Sequence, residues 1–260
     1  MGELTGKVAV ITGASSRNGI GQAIARRYAR AGASVYLMAE GSAEQLRDNA
    51  RECRELSPES AARFEFGVHD LAQSGVAEAM IEKVAQLFGR IDILVNNAGV
   101  RARLKFGEFS RDVFNNAVAV NLAAPFFACQ AVAPIMRRQG GGRIIHIASQ
   151  MGVVTHERRA VYGMTKAALI HLAKAMAFEL APDGIMVNAI SPGWNRTERM
   201  AFNLSKIPGL DDWVKKQTPL GRWSDPLRDL GGAAVYFASD ASDFVTGQTL
   251  QIEGGMTSTF

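Results

Sequence analysis

A tyrosine and a lysine lie one helical turn apart in the segment YGMTK, and together they could move a proton. Tyr162 and Lys166 occupy positions i and i+4, so on a helix both side chains project from the same face. A lysine ammonium beside a phenol stabilises the phenolate and lowers the tyrosine pKa, which lets the tyrosine exchange a proton with a substrate oxygen near neutral pH. The chain has four tyrosines, and one such pair could also arise by chance on an ordinary helix surface. Its meaning therefore depends on the other motifs of the chain.

A glycine-rich segment, TGASSRNGIG, follows the first apolar run of the chain at residues 12–21. It separates a predicted strand from a predicted helix, where free backbone N–H groups and the positive end of the helix dipole can meet a phosphate. Gly13, Gly19 and Gly21 would let the backbone turn and approach a ligand closely. This strand–turn–helix context favours a dinucleotide site, and an ordinary turn is the alternative.

Apolar runs alternate with segments of helical period along the chain, and they predict the elements that hold these motifs. Predicted strands span residues 7–12, 34–39, 63–68, 91–95, 143–148, 185–190 and 249–252, and predicted helices span 20–31, 43–56, 75–88, 112–138 and 161–180. Short, mostly apolar strands that alternate with helices are typical of a parallel sheet covered on both faces. The sequence therefore predicts one α/β domain over residues 1–260, with a doubly wound parallel sheet of about seven strands.

The segment 194–222 interrupts this alternation just after a predicted strand. In open α/β sheets ligands bind beyond the carboxyl ends of the strands, so the segment is a candidate lid over a substrate. Its Met200, Phe202, Leu204 and Trp213 either face the substrate or form a small satellite core. The sequence leaves both alternatives open.

Taken together, the motifs resemble the short-chain dehydrogenase/reductase family over nearly the whole chain. The family begins with T-G-x-x-x-G-x-G, and here five residues instead of three separate Gly13 from Gly19. Further matches are Asp70 after the third predicted strand, NNAG at residues 96–99 after the fourth, and PGWNRT at residues 192–197 after the sixth. The resemblance implies a Rossmann-like fold, a nicotinamide dinucleotide and hydride transfer at a carbon that bears a hydroxyl or carbonyl group.

The resemblance also implies a catalytic set of Asn121, Ser149, Tyr162 and Lys166. Ser149, thirteen residues before Tyr162, would stabilise the developing alkoxide, and Lys166 would hold the cofactor ribose and tune the tyrosine. Asn121 corresponds to the family asparagine in a kinked helix that holds a water leading toward the lysine. Pro125 lacks the N–H that would bond the Asn121 carbonyl, so we expect that carbonyl to stay available for the relay water. A simple proline kink without a catalytic part is the alternative.

A larger set of positions corresponds to the cofactor contacts of the family. These positions are Gly13, Ser15, Ser16, Arg17, Gly19, Ile20, Gly21, Ala39, Glu40, Asp70, Leu71, Asn97, Ala98, Gly99, Tyr162, Lys166, Pro192, Gly193, Asn195 and Thr197. At position 195 the family usually has Val or Ile, so the purpose of the asparagine side chain is open.

The choice between NAD and NADP rests on two conflicting signals. Family members that prefer NAD carry an acid at the end of the second strand, where this chain has Ala39 followed by Glu40. The charge of Glu40 would repel a 2′-phosphate, whereas Arg17 in the glycine-rich turn would attract one. We expect NAD or NADP, with a slight preference for NAD.

The composition argues against several other classes of protein. The 260 residues include 29 basic and 25 acidic ones, scattered without the basic stripe that nucleic-acid binding requires. Cys53, Cys129 and the four histidines do not have metal-ligand spacing, so we expect no metal.

We also expect no membrane span, because no uncharged apolar run approaches eighteen residues, and no signal peptide at the N-terminus. A cytoplasmic location is the resulting prediction.

Four arginines follow predicted strand ends on the side of the candidate site: Arg101, Arg103, Arg158 and Arg159. They either bind an anionic substrate or are solvated surface groups. The stretch between NNAGVRAR and PGWNRT resembles the sugar-acid and polyol dehydrogenases of the family, although general ketone reductases share most of it. Met151, Val153, His156 and Trp194 are further candidates for the substrate pocket, and packing in the core or in a loop is the alternative for each.

The sequence therefore predicts an oxidoreductase that acts on a small secondary alcohol or ketone, with a sugar acid or another anion as a candidate substrate. A catalytically silent NAD(P)-binding sensor or scaffold is the main alternative, and a nucleic-acid binder is a distant third. The predicted helices 112–138 and 161–180 have apolar residues on several sides. Because family members commonly pack these helices against a partner, we expect a homotetramer.

Overall fold

The computed structural model describes residues 2–58 and 61–258, and within them it contains one sheet of seven parallel strands. The strands are β1 (Val8–Thr12), β2 (Ser34–Ala39), β3 (Phe64–Val68), β4 (Ile93–Asn96), β5 (Gly142–Ile147), β6 (Ile185–Pro192) and β7 (Thr249–Ile252). The helices are α1 (Ile20–Arg30), α2 (Ala43–Glu55), α3 (Val76–Phe88), α4 (Arg111–Val118), α5 (Ala124–Arg138), α6 (Ala160–Leu180), α7 (Glu198–Leu204), α8 (Leu210–Gln217) and α9 (Gly231–Ala238).

The strand order is β3-β2-β1-β4-β5-β6-β7, and every neighbouring pair is parallel. Since β1 pairs with both β2 and β4, the order reverses there and a crevice opens beyond the carboxyl ends of these strands. This arrangement confirms the predicted doubly wound α/β fold.

Each face of the sheet is covered by its own apolar core. On one face Ile24 of α1, Leu46 of α2 and Phe237 of α9 are buried. On the other face α3, α5 and α6 pack against the strands, with Met80 and Val132 fully buried. Burial of each large apolar side chain contributes about 1.5–3 kcal/mol relative to exposure, so the two layers hold the strand ends in fixed positions.

The predicted helix 112–138 has the right extent but is not one regular helix. Between α4 and α5 lies a π-helical turn at Ala119–Ala123, where the Ala124 N–H donates to the Ala119 carbonyl five residues earlier. Pro125, at the start of α5, has no N–H to donate to the Asn121 carbonyl, which explains why the α-helical bonding pattern fails here. π-Helical turns of this kind are frequent at functional sites.

The helical run Arg111–Arg138 is also long and apolar enough, by length and composition, to cross a membrane. The prediction of no membrane span was based on the absence of such a run, and that premise was wrong. In the described structure 44% of its most apolar window is buried, and α5 packs against α3 and the sheet. The same length and composition are found in core helices that never meet a lipid.

Two helical regions near the C-terminus were poorly predicted. The segment 194–222 contains α7 and α8. Its Met200 and Val214 form a small buried cluster with the adjacent Trp223, and Leu204 and Trp213 pack against it, as in the satellite-core alternative. Phe202 is exposed. The helix α9 was missed altogether. It is short, begins with two glycines of low helix propensity, and is buried on several sides, so its sequence carries no helical alternation of apolar and polar residues.

Candidate active site

A cavity of about 220 Å³, here called the catalytic chamber, lies beyond the carboxyl ends of the strands. It gathers residues that are far apart in the sequence. Its lining comprises Gly13, Ser16, Gly19, Ile20, Asn97, Gly99, Arg101, Ile147, Ala148, Ser149, Gln150, Met151, Arg159, Tyr162, Lys166, Pro192, Gly193, Trp194, Asn195, Thr197 and Met200. Three of the four predicted catalytic residues thus face one space together with much of the predicted cofactor set.

Tyr162 and Lys166 lie on successive turns near the start of α6, as the i, i+4 spacing requires. The Lys166 Nζ is 5.8 Å from the centre of the Tyr162 ring and donates a 2.7 Å hydrogen bond to the Ile147 carbonyl at the end of β5. Only 3% of the Lys166 surface is exposed. The ammonium is therefore held at a fixed position beside the phenol.

The pKa of Tyr162 lies below its usual value. Burial alone raises this pKa, but the positive charges of Lys166, Arg101 and Arg159 oppose burial and outweigh it. The Ser149 side chain lowers the Tyr162 pKa further by hydrogen bonding. Since a lowered phenol pKa makes proton exchange easier near neutral pH, the site has the electrostatics that a catalytic tyrosine needs.

Burial also lowers the pKa of Lys166, and the charge of Arg101 adds to this effect. Tyr162 acts in the opposite direction and favours the ammonium form. The two groups thus stabilise each other's charged forms inside a largely desolvated site.

Asn121 lies outside the chamber lining and holds the elements behind it together. Its Oδ1 accepts from the Val100 N–H at 2.8 Å, and its Nδ2 donates to the Val100 carbonyl and to Thr165 Oγ1, both at 3.0 Å. The side chain is completely buried. It therefore connects the π-helical turn to the loop after β4 and to the helix that carries Tyr162.

Ser149 directly follows β5 and lines the chamber. Its Oγ accepts from the Met151 N–H at 3.2 Å, which begins a short helical turn. The neighbouring Gln150 was missed by the sequence analysis. It is buried, donates from Nε2 to the Met256 sulfur at 3.2 Å, and would lie 3.0 Å from a Cβ added at Gly193, so it packs beside the predicted cofactor segment.

The glycine-rich turn approaches the loop after β4 more closely than a side chain would allow. Gly13 has a positive φ of 69°, and a Cβ there would lie 2.7 Å from the Ala98 Cα. A Cβ on Gly21 would lie 2.7 Å from both the Gly13 oxygen and the Asn97 Nδ2. Asn97 Nδ2 donates to the carbonyls of Thr12 and Gly13 at 2.8 and 2.9 Å, which fixes the two loops against each other.

The N-terminus of α1 is open to an anion. Gly19 precedes the helix without a side-chain cap, and the first turn contains no acidic residue. The unpaired N–H groups at such a helix end and the helix dipole attract phosphate. Ser16 in the same turn donates a 3.1 Å hydrogen bond to Glu198 of α7, so the segment 194–222 contacts the turn directly.

A second cavity, of about 410 Å³, extends from the glycine-rich turn along the ends of β2 and β3. The predicted cofactor residues on its wall are Gly13, Ser15, Ser16, Ala39, Glu40, Leu71, Asn97, Ala98 and Gly99. His69 and Val120 also line it, and the sequence analysis did not identify them as cofactor contacts.

Three predicted cofactor residues line neither cavity. Arg17 is exposed, Gly21 packs beneath the turn, and the Asp70 carboxylate accepts hydrogen bonds from the Ala72 N–H and the Gln73 side chain. The departure at Asn195 has a structural explanation, because its Nδ2 donates a 2.9 Å hydrogen bond to the Gly193 carbonyl.

A third cavity, of about 310 Å³, adjoins the catalytic chamber and is here called the arginine chamber. It is lined by Arg101, Arg103, His156, Arg159, Trp194, Met200, Leu210 and Trp213. Arg101, Arg159, Trp194 and Met200 line both chambers. The predicted lid residues Met200 and Trp213 thus both pack in the satellite cluster and face a cavity.

The sequence and the fold of this chain are similar to those of several known proteins. A family model described as "Enoyl-(Acyl carrier protein) reductase" matches residues 13–257. Gluconate 5-dehydrogenase of Gluconobacter oxydans is 39% identical over 257 residues, which cover 98% of this chain and 96% of that protein. D-threitol dehydrogenase of Mycolicibacterium smegmatis is also 39% identical, over 98% of this chain and 94% of its own length.

Among solved structures, a gluconate 5-dehydrogenase from Burkholderia cenocepacia J2315 in complex with NADP and tartrate superimposes with a TM-score of 0.89. Its sequence is 38% identical, and the match covers 99% of this chain and 98% of that chain. The similarity therefore extends over nearly the whole length of both chains.

Proposed function

This chain belongs to the short-chain dehydrogenase/reductase family, and we propose that it interconverts a secondary alcohol and a ketone on a small polyhydroxylated substrate. The family assignment makes it an NAD(P)-dependent oxidoreductase that acts on CH–OH groups. The single observation that carries the proposal is the convergence of Ser149, Tyr162 and Lys166 on one chamber, with the tyrosine pKa lowered. A silent sensor would have no need of this arrangement.

The catalytic chamber and the second cavity, which extends from the glycine-rich turn along β2 and β3, together fit a nicotinamide dinucleotide. The uncapped start of α1 would bind a pyrophosphate, and the close approach of Gly13 to Ala98 holds the glycine-rich turn against the loop after β4. Within the described residues, the buried Asn195 Oδ1 has no hydrogen-bond partner, so a carboxamide N–H would satisfy it. Asn195 would in this way bind the amide end of the cofactor with its side chain.

The chain's own residues would move and stabilise the proton and charge at the substrate oxygen. The bound cofactor supplies or accepts the hydride. Tyr162 removes the hydroxyl proton during oxidation and returns it during reduction, while the Ser149 hydroxyl donates to the developing alkoxide. Lys166 keeps the phenol acidic, and Asn121 positions α6 against the π-helical turn. The Asn121 carbonyl, which Pro125 cannot bond, is available for a relay water on this proposal.

A slight preference for NAD over NADP is supported by the surroundings of the ribose-side cavity. Glu40 lines this cavity, whereas Arg17 is exposed and does not. A carboxylate on the wall disfavours a bound 2′-phosphate by charge repulsion. Replacing Glu40 with alanine should raise kcat/KM for NADP about tenfold relative to NAD, while Glu44→Ala, an exposed residue outside the cavity, should leave the ratio unchanged.

The substrate class is a sugar acid or a related polyol. Gluconate 5-dehydrogenase and D-threitol dehydrogenase are the relatives that support it. On this proposal one domain, residues 1–260, carries both binding functions, and the segment 194–222 closes over the substrate. The contact between Ser16 and Glu198 supports such a lid.

A homotetramer and a cytoplasmic location complete the proposal. The exposed Phe126 and Phe127 of α5 and Met164 and Phe178 of α6 are apolar surface that a partner subunit would cover. Cys53 and Cys129 are buried free thiols, which suits a reducing compartment. Light scattering that gives a monomer at micromolar concentration would contradict the tetramer.

The proposal is tested by titrating the purified protein with NADH and with NADPH and then measuring turnover of gluconate, threitol and simple apolar alcohols. We expect saturable binding of a cofactor and preferential turnover of the polyhydroxylated compounds. Binding without turnover of any alcohol or ketone would contradict it, and faster turnover of apolar alcohols would overturn the substrate class.

A further inference from the structure

We propose that Arg159 binds an oxyanion at one end of the substrate, in the arginine chamber, and so makes the enzyme select an anionic polyol over the matching neutral one. This inference rests on the proposed function, because it concerns the same site. It adds the charge of the substrate and the residue that recognises it.

Arg159 is turned inward by an unusual backbone conformation. The preceding Arg158 has a φ of 61°, and among the residues described it is the one non-glycine residue with a positive φ. This conformation is costly for a side chain other than Gly or Asn, and such strain concentrates at functional sites. The side chain of Arg158 is exposed, whereas only 8% of Arg159 is exposed. The strained turn thus places a guanidinium at the wall of both chambers.

The charge of Arg159 is not neutralised within the described part of the chain, where it forms no ion pair with any carboxylate. Burial lowers the pKa of Arg159 and the nearby charges of Arg103 and Arg101 lower it further, while the charge of Tyr162 acts in the opposite direction. A guanidinium remains protonated despite such shifts, so the site keeps a largely buried positive charge. Such a charge is unfavourable unless an anion pairs with it.

Arg101 and Arg103 add two more positive groups to the same cavity. Both are exposed, on the loop that follows β4, and no ion pair with a described acidic residue holds them. Guanidinium groups offer paired N–H donors that match the oxygens of a carboxylate or a phosphate. The three arginines therefore present an oxyanion site in which Arg159 is buried and Arg101 and Arg103 are exposed.

The remaining wall of the arginine chamber is aromatic. The rings of His156 and Trp213 are 5.2 Å apart, those of Trp194 and Trp213 are 5.6 Å apart, and both pairs are nearly perpendicular. Such rings provide apolar surface for the C–H groups of a carbon chain. Because Arg159 and Trp194 line both chambers, one open-chain molecule can reach from Tyr162 to the arginines.

The test compares Arg159→Met with Arg158→Asn in the full-length enzyme with its cofactor. Both variants remove one positive charge, and the control residue is exposed, lines neither chamber, and is replaced by a residue that tolerates the same φ. The substrates are D-gluconate, D-glucitol and D-glucitol 6-phosphate, which share a six-carbon chain and differ in the terminal group. Thermal unfolding of each variant with cofactor checks that it is folded.

We expect Arg159→Met to lower the ratio of kcat/KM for an anionic substrate to that for D-glucitol by about 10- to 100-fold, mainly through KM, since hydrogen bonds to charged groups are lost. The ratio corrects for any effect of Arg159 on the Tyr162 pKa, which changes all three rates alike. Arg159→Lys should recover part of the ratio, and Arg158→Asn should not alter it. A larger fall in kcat/KM for D-gluconate identifies a carboxylate as the natural terminal group, and a larger fall for D-glucitol 6-phosphate identifies a phosphate.

An unchanged ratio in Arg159→Met, or an equal loss in Arg158→Asn, would overturn the inference while leaving the proposed function intact. If none of the three compounds is turned over, tryptophan fluorescence decides, because Trp194 and Trp213 line the chamber. Quenching by D-gluconate or D-glucitol 6-phosphate that disappears in Arg159→Met would support the anion site although the proposed substrates fail. Absence of quenching by both would overturn it.

Discussion

The catalytic corner and the binding loops of this enzyme are built differently. The corner comprises Asn121, Ser149, Tyr162 and Lys166, and its asparagine and lysine are tied to the backbone of other elements by bonds of 2.7–3.0 Å. The binding loops comprise the glycine-rich turn at residues 13–21, the loop that ends at Arg159 and the segment 194–222. Their geometry depends on glycine residues and on the exposed 3.1 Å hydrogen bond from Ser16 to Glu198. They also include the Arg159 guanidinium, which forms no ion pair with a described residue. From this difference we expect the corner to determine the rate of the chemistry, and the loops to determine affinity and selectivity.

The largest expected effect lies in the corner. Tyr162→Phe should lower kcat by about 10²- to 10⁴-fold, because the proton has no other carrier, while the cofactor Kd stays within a few-fold. Steady-state rates and a fluorescence titration measure both quantities. Tyr236→Phe, which changes an exposed tyrosine on α9, is the matched control. Near-normal turnover in Tyr162→Phe would show that Tyr162 does not carry the proton, and the contrast between the corner and the binding loops would then fail.

The pH dependence of alcohol oxidation tests the lysine. Oxidation requires the phenolate, so its rate should rise with pH until the lowered Tyr162 pKa is passed and then level off. Lys166→Met removes a charge that lowers this pKa, so the rising limb should move to higher pH by about one unit or more. Near neutral pH this corresponds to roughly a tenfold or larger loss of rate. Lys174→Met, an exposed lysine on the same helix, should not move the limb, and a shift to lower pH in Lys166→Met would contradict the assignment.

In the binding loops, Gly21→Ala should weaken the cofactor more than it slows chemistry. The added Cβ would lie 2.7 Å from the Gly13 oxygen and the Asn97 Nδ2, and relief of such overpacking costs about 1–3 kcal/mol. We expect a roughly 10- to 100-fold higher cofactor Kd, with kcat at saturation much less affected. Gly107→Ala, where no neighbour lies within 4 Å of the added Cβ, should bind normally. A large fall in kcat with an unchanged Kd would show that the two regions are not separable.

The smallest effect should come from Glu198→Gln. Its carboxylate accepts from Ser16 beside the turn where cofactor phosphates would bind, so loss of the negative charge should tighten cofactor binding. An exposed charge of this kind is worth about 0.2–1 kcal/mol, which is up to roughly fivefold in Kd. Calorimetric titration can measure the change, with the exposed Glu179→Gln on α6 as the control. Weaker binding would indicate that the Ser16–Glu198 contact assists the cofactor.

The sequence predicted that Ser149, Tyr162 and Lys166 lie close together, and the structure brings all three to one chamber. Their catalytic roles stay a prediction. Ser149 and Asn121 were assigned by family resemblance, whereas the Tyr162–Lys166 pair could be placed from local geometry. The i, i+4 spacing of Tyr162 and Lys166 places them on one face of α6 without knowledge of the fold. Strand periodicity placed Ser149 at a strand end, and the missing N–H of Pro125 correctly pointed to an irregular helix, although not to a π-helical turn.

The loops were harder to predict because their geometry depends on distant parts of the chain. The sequence HERRAV gives no sign that Arg158 is exposed and Arg159 buried. The difference accompanies the positive φ of Arg158, which the sequence does not predict. Gln150 and His69 reach the cavities only through the packing of other segments. The sequence of α9 shows no alternation of apolar and polar residues at helical spacing, because this helix is buried on several sides.

The π-helical turn at Ala119–Ala123 has a consequence for how this chain tolerates a change in length. It holds one residue more than regular helical geometry would place there, so deleting a single residue within it would let α4 continue straight into α5. Because the turn absorbs the extra residue locally, α4 and α5 would keep their present orientations, whereas Asn121 would lose the backbone geometry that directs it to Val100 and Thr165. We expect such a deletion to leave a folded protein with reduced activity, while a one-residue deletion in the regular part of α5 would rotate the rest of that helix by about 100° and disrupt its packing.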